Sequence, residues 1–332
     1  MPNSQMTFRQ FLMQADGGKP VAGDLAFLLE DIVTACRLVS DHIRNGAFAN
    51  VLGSSESTNI QGETQKKLDV IADEEFMRHC ANSGRVAALV SEEVDDVHWL
   101  KEKPEAGDYL VYFDPLDGSS NVDVNLSVGS IFSIVQLAEA VTPSPEAVLR
   151  KGTEQVCAGY AIYGPSTGLV LTLGHGVHGF TQDLGTGEFL LTQPDMTVPA
   201  TTSEYAINTS RAELWEAPVR RYIDECVAGK NGVRGRTFNM RWTASMVADV
   251  HRILTRGGVF LYPMDSGNAS TGGKLRLMYE ANPMGMIIEQ AGGAASTGRA
   301  RIMEVQPEGH HQRVPVILGS KDEVALIDSY HA

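Results

Sequence analysis

Tyr109-Leu110-Val111-Tyr112-Phe113-Asp114-Pro115-Leu116-Asp117-Gly118-Ser119-Ser120-Asn121 is the stretch on which this chain's architecture and chemistry turn. An apolar run, 109–113, reads as a buried strand. Pro115 and Gly118 read as a turn that puts Asp114 and Asp117 at the strand's end, facing one point. Hard divalent cations take such oxygens, and the Leu116 carbonyl lies between the two acids as a third. Gly118, Ser119 and Ser120 add unhindered N–H groups and two hydroxyls, donors suited to a phosphate beside the metal. Alone, DPLDGSS reads equally as an ordinary turn.

Upstream, the apolar run Val86–Val90 ends in Ser91-Glu92-Glu93, the same design of strand followed by carboxylates. In mixed sheets, ligand sites gather at strand ends. If the two strands are neighbours, Glu92, Asp114 and Asp117 make one cluster that repels itself unless cations neutralise it. Downstream, Gly273–Glu280 offers Lys274 and Arg276 as countercharges for phosphate and Glu280 as a further ligand. Its spacing alone favours a helix with a solvated charged face.

Around these pieces, periodicity predicts helices over 24–45, stopped by Gly46, and over 66–81. Strand-like runs follow at 128–137, 156–163 and 169–173. Beyond residue 200 the pattern alternates. A strand at 205–208, helices at 212–228 and 244–254 and a strand at 258–262 come first. A helix from 274, interrupted near Pro283, a strand at 315–318 and a helix at 321–330 close the chain. That texture is α/β. The Thr/Pro-rich stretch 192–203 is the expected boundary between two domains, 1–195 and 196–332.

Composition limits the partners. The 332 residues carry a net charge of −14, a poor surface for nucleic acid or anionic membrane. Such a protein holds phosphates only through metal ions or a local cluster of donors. Cys36, Cys80, Cys157 and Cys226 are far apart, which fits reduced thiols in a cytoplasmic protein rather than a zinc site or disulfide framework. The N-terminus shows no secretory pattern, and no run of about 18 apolar residues predicts a membrane span. His175, His178, His310 and His311 invite a metal reading, but Gly174-His175-Gly176 and the 310–311 pair read as loop surface. Met278, Met284 and Met286 read as core packing.

At this point the chain resembles a known family. SEE at 91–93 with DPLDGSSN at 114–121 is similar to the lithium-sensitive, Mg-dependent sugar phosphatases. KKLD (66–69), SMVADVHR (245–252), FLYP (260–263), GKLRLMYE (273–280), NPM (282–284) and HQRVPVILGS (311–320) narrow the resemblance to class I fructose-1,6-bisphosphatases. The resemblance implies an α/β fold of mixed α+β layers, ordered α-β-α-β-α, with two subdomains. It implies hydrolysis of fructose 1,6-bisphosphate to fructose 6-phosphate, in gluconeogenesis or the Calvin cycle. Sedoheptulose 1,7-bisphosphate is the alternative substrate. An inositol-phosphate phosphatase is disfavoured, because Gly273–Glu280 stands where those enzymes carry a WDxAAG-like segment.

Residue by residue, the resemblance implies Glu92, Asp114, the Leu116 carbonyl, Asp117 and Glu280 as ligands of two or more Mg2+ ions, Mn2+ being a possible substitute. Glu93 and Asp69 correspond to the acids that activate the attacking water, and Glu63 stands where relatives often carry Asp. Asp117, Gly118, Ser119 and Ser120 correspond to the 1-phosphate pocket. Asn208, Arg241, Trp242, Tyr262 and Lys274 correspond to contacts with the sugar and the 6-phosphate. The equivalent of Arg241 reaches in from a neighbouring subunit, which implies a homotetramer. Three departures stand out. Trp242 replaces the usual Tyr, and Arg211 stands where many relatives have Tyr. Ala22, Ala26 and Asp108 replace two hydroxyls and a Lys of the family's AMP site, so weak AMP inhibition is expected.

Overall fold

The computed structural model describes residues 5–14, 20–49, 53–58 and 64–332. Glu63 lies outside the described residues. A short helix α1 (Phe8–Leu12) precedes the long α2 (Gly23–Ala49). A hairpin, β1 (Ser54–Thr58) and β2 (Thr64–Lys66), leads into α3 (Lys67–Ala81). Then come β3 (Val86–Ser91), β4 (His98–Trp99), β5 (Tyr109–Asp117) and β6 (Val128–Gln136). β7 (Gln155–Tyr163), β8 (Thr167–Thr172), β9 (His178–Gln182) and β10 (Phe189–Gln193) complete an eight-stranded sheet of order β10-β9-β8-β7-β6-β5-β3-β4. Only the β3–β5 pairing is parallel; the other pairings in this sheet are antiparallel.

The second half begins with β11 (Glu204–Ile207), α4 (Ala217–Ala228), β12 (Asn239–Met240), α5 (Met246–Arg256) and β13 (Val259–Tyr262). It continues with β14 (Leu275–Arg276), α6 (Asn282–Gln290), β15 (Ala294–Ser296), β16 (Arg313–Val314), β17 (Val316–Gly319) and α7 (Lys321–His331). Its sheet has the order β12-β11-β13-β17-β15, and β14 pairs with β16.

Three apolar clusters stack these elements into five layers. Leu28, Ile32 and Cys36 of α2 and Phe76 of α3 pack with Val111 and Phe113 of β5. The opposite face of β5, Leu110 and Tyr112, packs with Val250 of α5, Ile287 of α6 and Phe260 of β13. The far face of the second sheet, Ile207, Leu261 and Ile317, packs with Tyr222 of α4 and Ile327 of α7. The order is α-β-α-β-α. Strands covered on both faces read as continuous apolar runs, which is why 86–90 and 109–113 lack alternation.

Several expectations change in detail. Gly46 does not end α2, which runs on to Ala49. Gly46 is buried, and packing outweighs the roughly 1 kcal/mol that Gly costs inside a helix. The helix expected from 274 is in fact β14, a π-helical turn Leu277–Ala281 and then α6. Pro283 lies in the first turn of α6, where its missing N–H costs nothing. The helix expected over 212–228 is a 3-10 segment, Thr209–Leu214, followed by α4. All four cysteines are buried and free. Met278, Met284 and Met286 are core residues. Among the described residues, no helix is long and apolar enough to cross a membrane.

Candidate active site

β5 does not end at Asp114. It runs through Pro115 to Asp117 with a bulge: Asp114 faces Ile131 of β6 and Asp117 faces Gly129, so three steps on one strand match two on the other. In a regular strand, residues three apart point to opposite faces. The extra residue cancels that alternation and turns both carboxylates to one side. Asp114 Oδ1 fixes the bulge by accepting the Leu116 N–H at 3.0 Å, and Ser130 donates to the Pro115 carbonyl at 2.7 Å. The turn comes one step later, at Gly118, whose φ is +75°. A Cβ there would lie 2.7 Å from Cβ of Ser245, so glycine is needed for space as well as conformation.

β3 lies parallel beside β5, and the Glu92 N–H donates to the Phe113 carbonyl at 3.1 Å. That places Glu92 next to Asp114. Glu280 arrives from the π-helical turn and accepts the Arg276 N–H at 2.5 Å. Ligand oxygens of Asp114, Asp117 and Glu280 lie within 4.8 Å of one another, all three residues buried. Arg276 is also buried. Its guanidinium sits 2.9 Å from Glu92 and 4.0 Å from Glu280, so it is a countercharge to the acids, and it also lines the cleft that holds them.

This cluster is electrostatically unfavourable without a cation. Burial first, then Glu92, Asp117 and Glu280, hold the Asp114 carboxyl well above the usual carboxylate range. Burial pushes Asp117 to about 6 against the pull of its hydrogen-bond donors. Burial and then Glu92 push Glu280 to about 8, with Arg276 partly offsetting them. Crowded oxygen donors that resist ionisation are suited to a hard divalent cation. The fit extends to Asp69. Its Oδ2 accepts the Lys66 N–H at 2.7 Å, while its buried Oδ1 has no hydrogen-bond partner. Burial raises its carboxyl to about 6.

One cleft of ≈ 320 Å³ holds Asp69, Glu92, Glu93, Asp114, Leu116, Asp117 and Glu280 together with Gly118, Ser119, Ser120, Asn208, Trp242, Tyr262 and Lys274. Trp242 stacks on Phe260, with ring centres 5.8 Å apart and an 11° tilt, and Tyr262 lies 5.9 Å away. Arg241 does not line this cleft; it is exposed on the chain beside β12. Arg211 forms a two-pronged pair with Asp265, at 2.6 and 2.7 Å. The extra cation expected near the 6-phosphate is thus already engaged.

No sequence signal assigns a role to the N-terminus of α5. Asp117 accepts the Ser245 hydroxyl at 2.6 Å, the Val247 N–H at 2.9 Å and the Met246 N–H at 3.2 Å. A serine opening an amphipathic helix is an N-cap signal, but nothing in the sequence aimed that cap at residue 117. Ser91 likewise ties the Glu92 segment to α3, donating to Asp73 at 2.5 Å.

One histidine, His311, departs from the loop-surface expectation and is engaged at both ring nitrogens. His178 packs against an aromatic ring, 4.9 Å from Phe11.

Comparison with known proteins gives one result throughout. A family model described as fructose-1-6-bisphosphatase, N-terminal domain, matches residues 6–194, and its C-terminal counterpart matches 198–332. The chain is similar to Leishmania major fructose-1,6-bisphosphatase in holo form at 39% identity, covering 99% of each chain, with a TM-score of 0.91. Against the apo and T-state structures of that protein, identity is 38%, coverage 99% of each chain and the TM-score 0.86.

Proposed function

This chain belongs to the fructose-1,6-bisphosphatase family, and from that premise we propose how its residues hydrolyse fructose 1,6-bisphosphate to fructose 6-phosphate and phosphate. The reading rests on one observation: buried oxygens of Asp114, Asp117 and Glu280 converge within 4.8 Å inside a cleft that also holds Gly118–Ser120 and Lys274.

Glu92, Asp114, the Leu116 carbonyl, Asp117 and Glu280 would hold Mg2+, or Mn2+ in its place. When bound, such ions neutralise charge on the phosphoryl oxygens and on the leaving oxygen. The chain's own groups do the rest. Gly118, Ser119 and Ser120 donate to the 1-phosphate and fix its orientation. Lys274, Tyr262, Trp242 and Asn208 hold the sugar and its remote phosphate, and that binding positions the reacting one. Water attacks phosphorus, the bond from phosphorus to the C1 oxygen breaks, and that oxygen takes a proton from solvent to become the hydroxyl of fructose 6-phosphate. Asp69, whose buried Oδ1 accepts no hydrogen bond, would take the water's proton, with Glu93 of the same cleft as a second acid. Glu63 is proposed as a third acid of this set.

Arg241, exposed outside its own cleft, is proposed to complete the 6-phosphate site of an adjacent copy in a homotetramer. We place the enzyme in the cytoplasm, in gluconeogenesis or the Calvin cycle. Phosphate release from fructose 1,6-bisphosphate, sedoheptulose 1,7-bisphosphate and inositol 1-phosphate, each with Mg2+ and with chelator, tests the reading. Fructose bisphosphate turned over fastest and only with metal is the expected result. Undiminished turnover in chelator would overturn the metal assignment.

A further inference from the structure

Glu92 and Glu280 enter the cleft from elements far apart in sequence, and the loop Gly309–Gln312 touches the segments that carry both. On one side, the Leu277 N–H donates to the Gln312 carbonyl at 2.8 Å, and Tyr279 Oη lies 2.7 Å from Nδ1 of His311. Leu277 and Tyr279 belong to the same π-helical turn as Glu280. On the other side, Nε2 of His311 lies 3.1 Å from the Val94 carbonyl and 3.3 Å from that of Asp95. His310 Nε2 lies 2.6 Å from the Asp95 carbonyl. Val94 and Asp95 directly follow Glu92 and Glu93.

The proton positions follow from the acceptors. A carbonyl oxygen only accepts, so both Nε2 atoms carry hydrogen. The neutral His311 ring then presents a bare Nδ1, to which the Tyr279 hydroxyl donates. Burial and next His310 push this imidazole below its usual pKa, in keeping with a neutral ring. Tyr279 is fully buried, so its hydroxyl has no water to turn to.

We propose that His311, flanked by His310, is a positioning residue that clamps the Glu280 turn to the segment bearing Glu92 and Glu93, and so sets the spacing of the metal-binding oxygens. The proposal rests on the metal reading given above. Groups bonded directly to metal ligands commonly govern affinity, and His311 acts one step further out, through Tyr279 beside Glu280 and the backbone that follows Glu93. The Arg276–Glu92 ion pair is a second strap between the same two segments, so losing the histidine loosens the site without dismantling it.

The test uses the full chain, with Mn2+ binding followed by calorimetry in the absence of substrate and with the Mg2+ dependence of phosphate release. His311→Ala is expected to weaken Mn2+ binding about tenfold, the low end for groups that support a metal site from outside its ligands. It should raise the Mg2+ half-saturation in parallel and leave KM for the sugar unchanged. His311→Gln, whose amide can still donate to the carbonyls, recovers part of the loss. Tyr279→Phe shifts binding in the same direction by less. His251→Ala is the control. That half-buried ring lies 2.9 Å from the Tyr160 hydroxyl and is outside the cleft. Its loss lowers the melting temperature without moving Mn2+ affinity. Wild-type affinity in folded His311→Ala and Tyr279→Phe overturns this inference and leaves the metal reading intact. A wild-type protein that binds no Mn2+ and works in chelator overturns both. If His311→Ala does not fold, Tyr279→Phe and His311→Gln decide by the same criterion.

Discussion

The Ser245 hydroxyl donates to Asp117 Oδ2 at 2.6 Å while its oxygen accepts the Ala248 N–H at 3.2 Å, so one atom both caps α5 and aims a carboxylate of the site. Ser245→Ala removes both. Loss of the cap costs about 1 kcal/mol of stability. Asp117 keeps two backbone donors but loses the hydroxyl that fixes its rotation, so activity at limiting Mg2+ is expected to fall about tenfold or more. Thermal melting and a magnesium titration of phosphate release separate the two effects. A variant with lowered melting temperature and unchanged magnesium dependence would show that the serine acts only as a cap.

Asp117→Asn and Asp114→Asn should change activity and metal-free stability in opposite directions. Each removes a charge the transition state relies on, and turnover should drop at least about a hundredfold. Each also relieves repulsion among buried acids, so the metal-free variants are expected to melt above metal-free wild type. Melting curves in chelator beside steady-state rates in Mg2+ check both signs. Metal-free variants that melt below wild type would argue against a repulsive empty site.

Metal-free protein should lose stability as pH rises. Asp69 and Asp117 move from 3.8 to about 6 on folding, and Glu280 from 4.5 to about 8. The folded state therefore binds protons more tightly than the unfolded chain. Stability is highest below pH 4 as far as these groups are concerned, and it drains away between about pH 4 and 8. A divalent ion replaces the protons, so saturating Mg2+ should flatten or reverse the slope at its alkaline end. Melting temperatures from pH 5 to 8.5, with and without Mg2+, measure this directly. Parallel curves would contradict it.

Arg241→Ala is expected to raise KM for fructose 1,6-bisphosphate about tenfold or more with little change in kcat, since the contact proposed for it is remote from the reacting phosphorus. Mixing it with an inactive Asp117→Asn partner should restore some tight-binding sites if the arginine serves an adjacent copy. Light scattering on the wild type checks for the tetramer. A monomer would remove the basis for the prediction.

Inhibition by AMP should be weak or absent at micromolar concentrations. Asp108 is fully buried and paired with Lys101 at 2.7 Å and Arg85 at 3.5 Å, so it offers no cation to a nucleotide phosphate. Ala22 and Ala26 have no hydroxyl to give. An AMP titration of the magnesium-saturated enzyme settles the point, and micromolar potency would reverse it.

The strand-then-carboxylate design was legible because it depends on local signals: apolar runs of strand length, followed at once by acids. The five-layer order was implied only by the family resemblance. What the sequence hid depends on contacts distant along the chain. Pro115 suggested a turn; only pairing with β6 reveals that the strand continues and the proline sits in a bulge. Gly46 suggested a stop; burial carries the helix through it. The cap on Asp117 comes from 128 residues away, and His311 holds the Val94 carbonyl across 217. No periodicity encodes such links. Arg276 gains a role the sequence did not show, since its buried guanidinium pairs with Glu92 at the cleft wall.

The bulge in β5 also makes the spacing of the two aspartates a matter of parity. Deleting Pro115, or inserting one residue beside it, would send one carboxylate into the packing under α2 and α3, whatever side chains were kept. Surface loops such as Asp183–Gly187 can gain or lose a residue at small cost. Here a change in length is expected to be more damaging than a change in chemistry, which marks 114–117 as the place where an engineer should substitute and never resize.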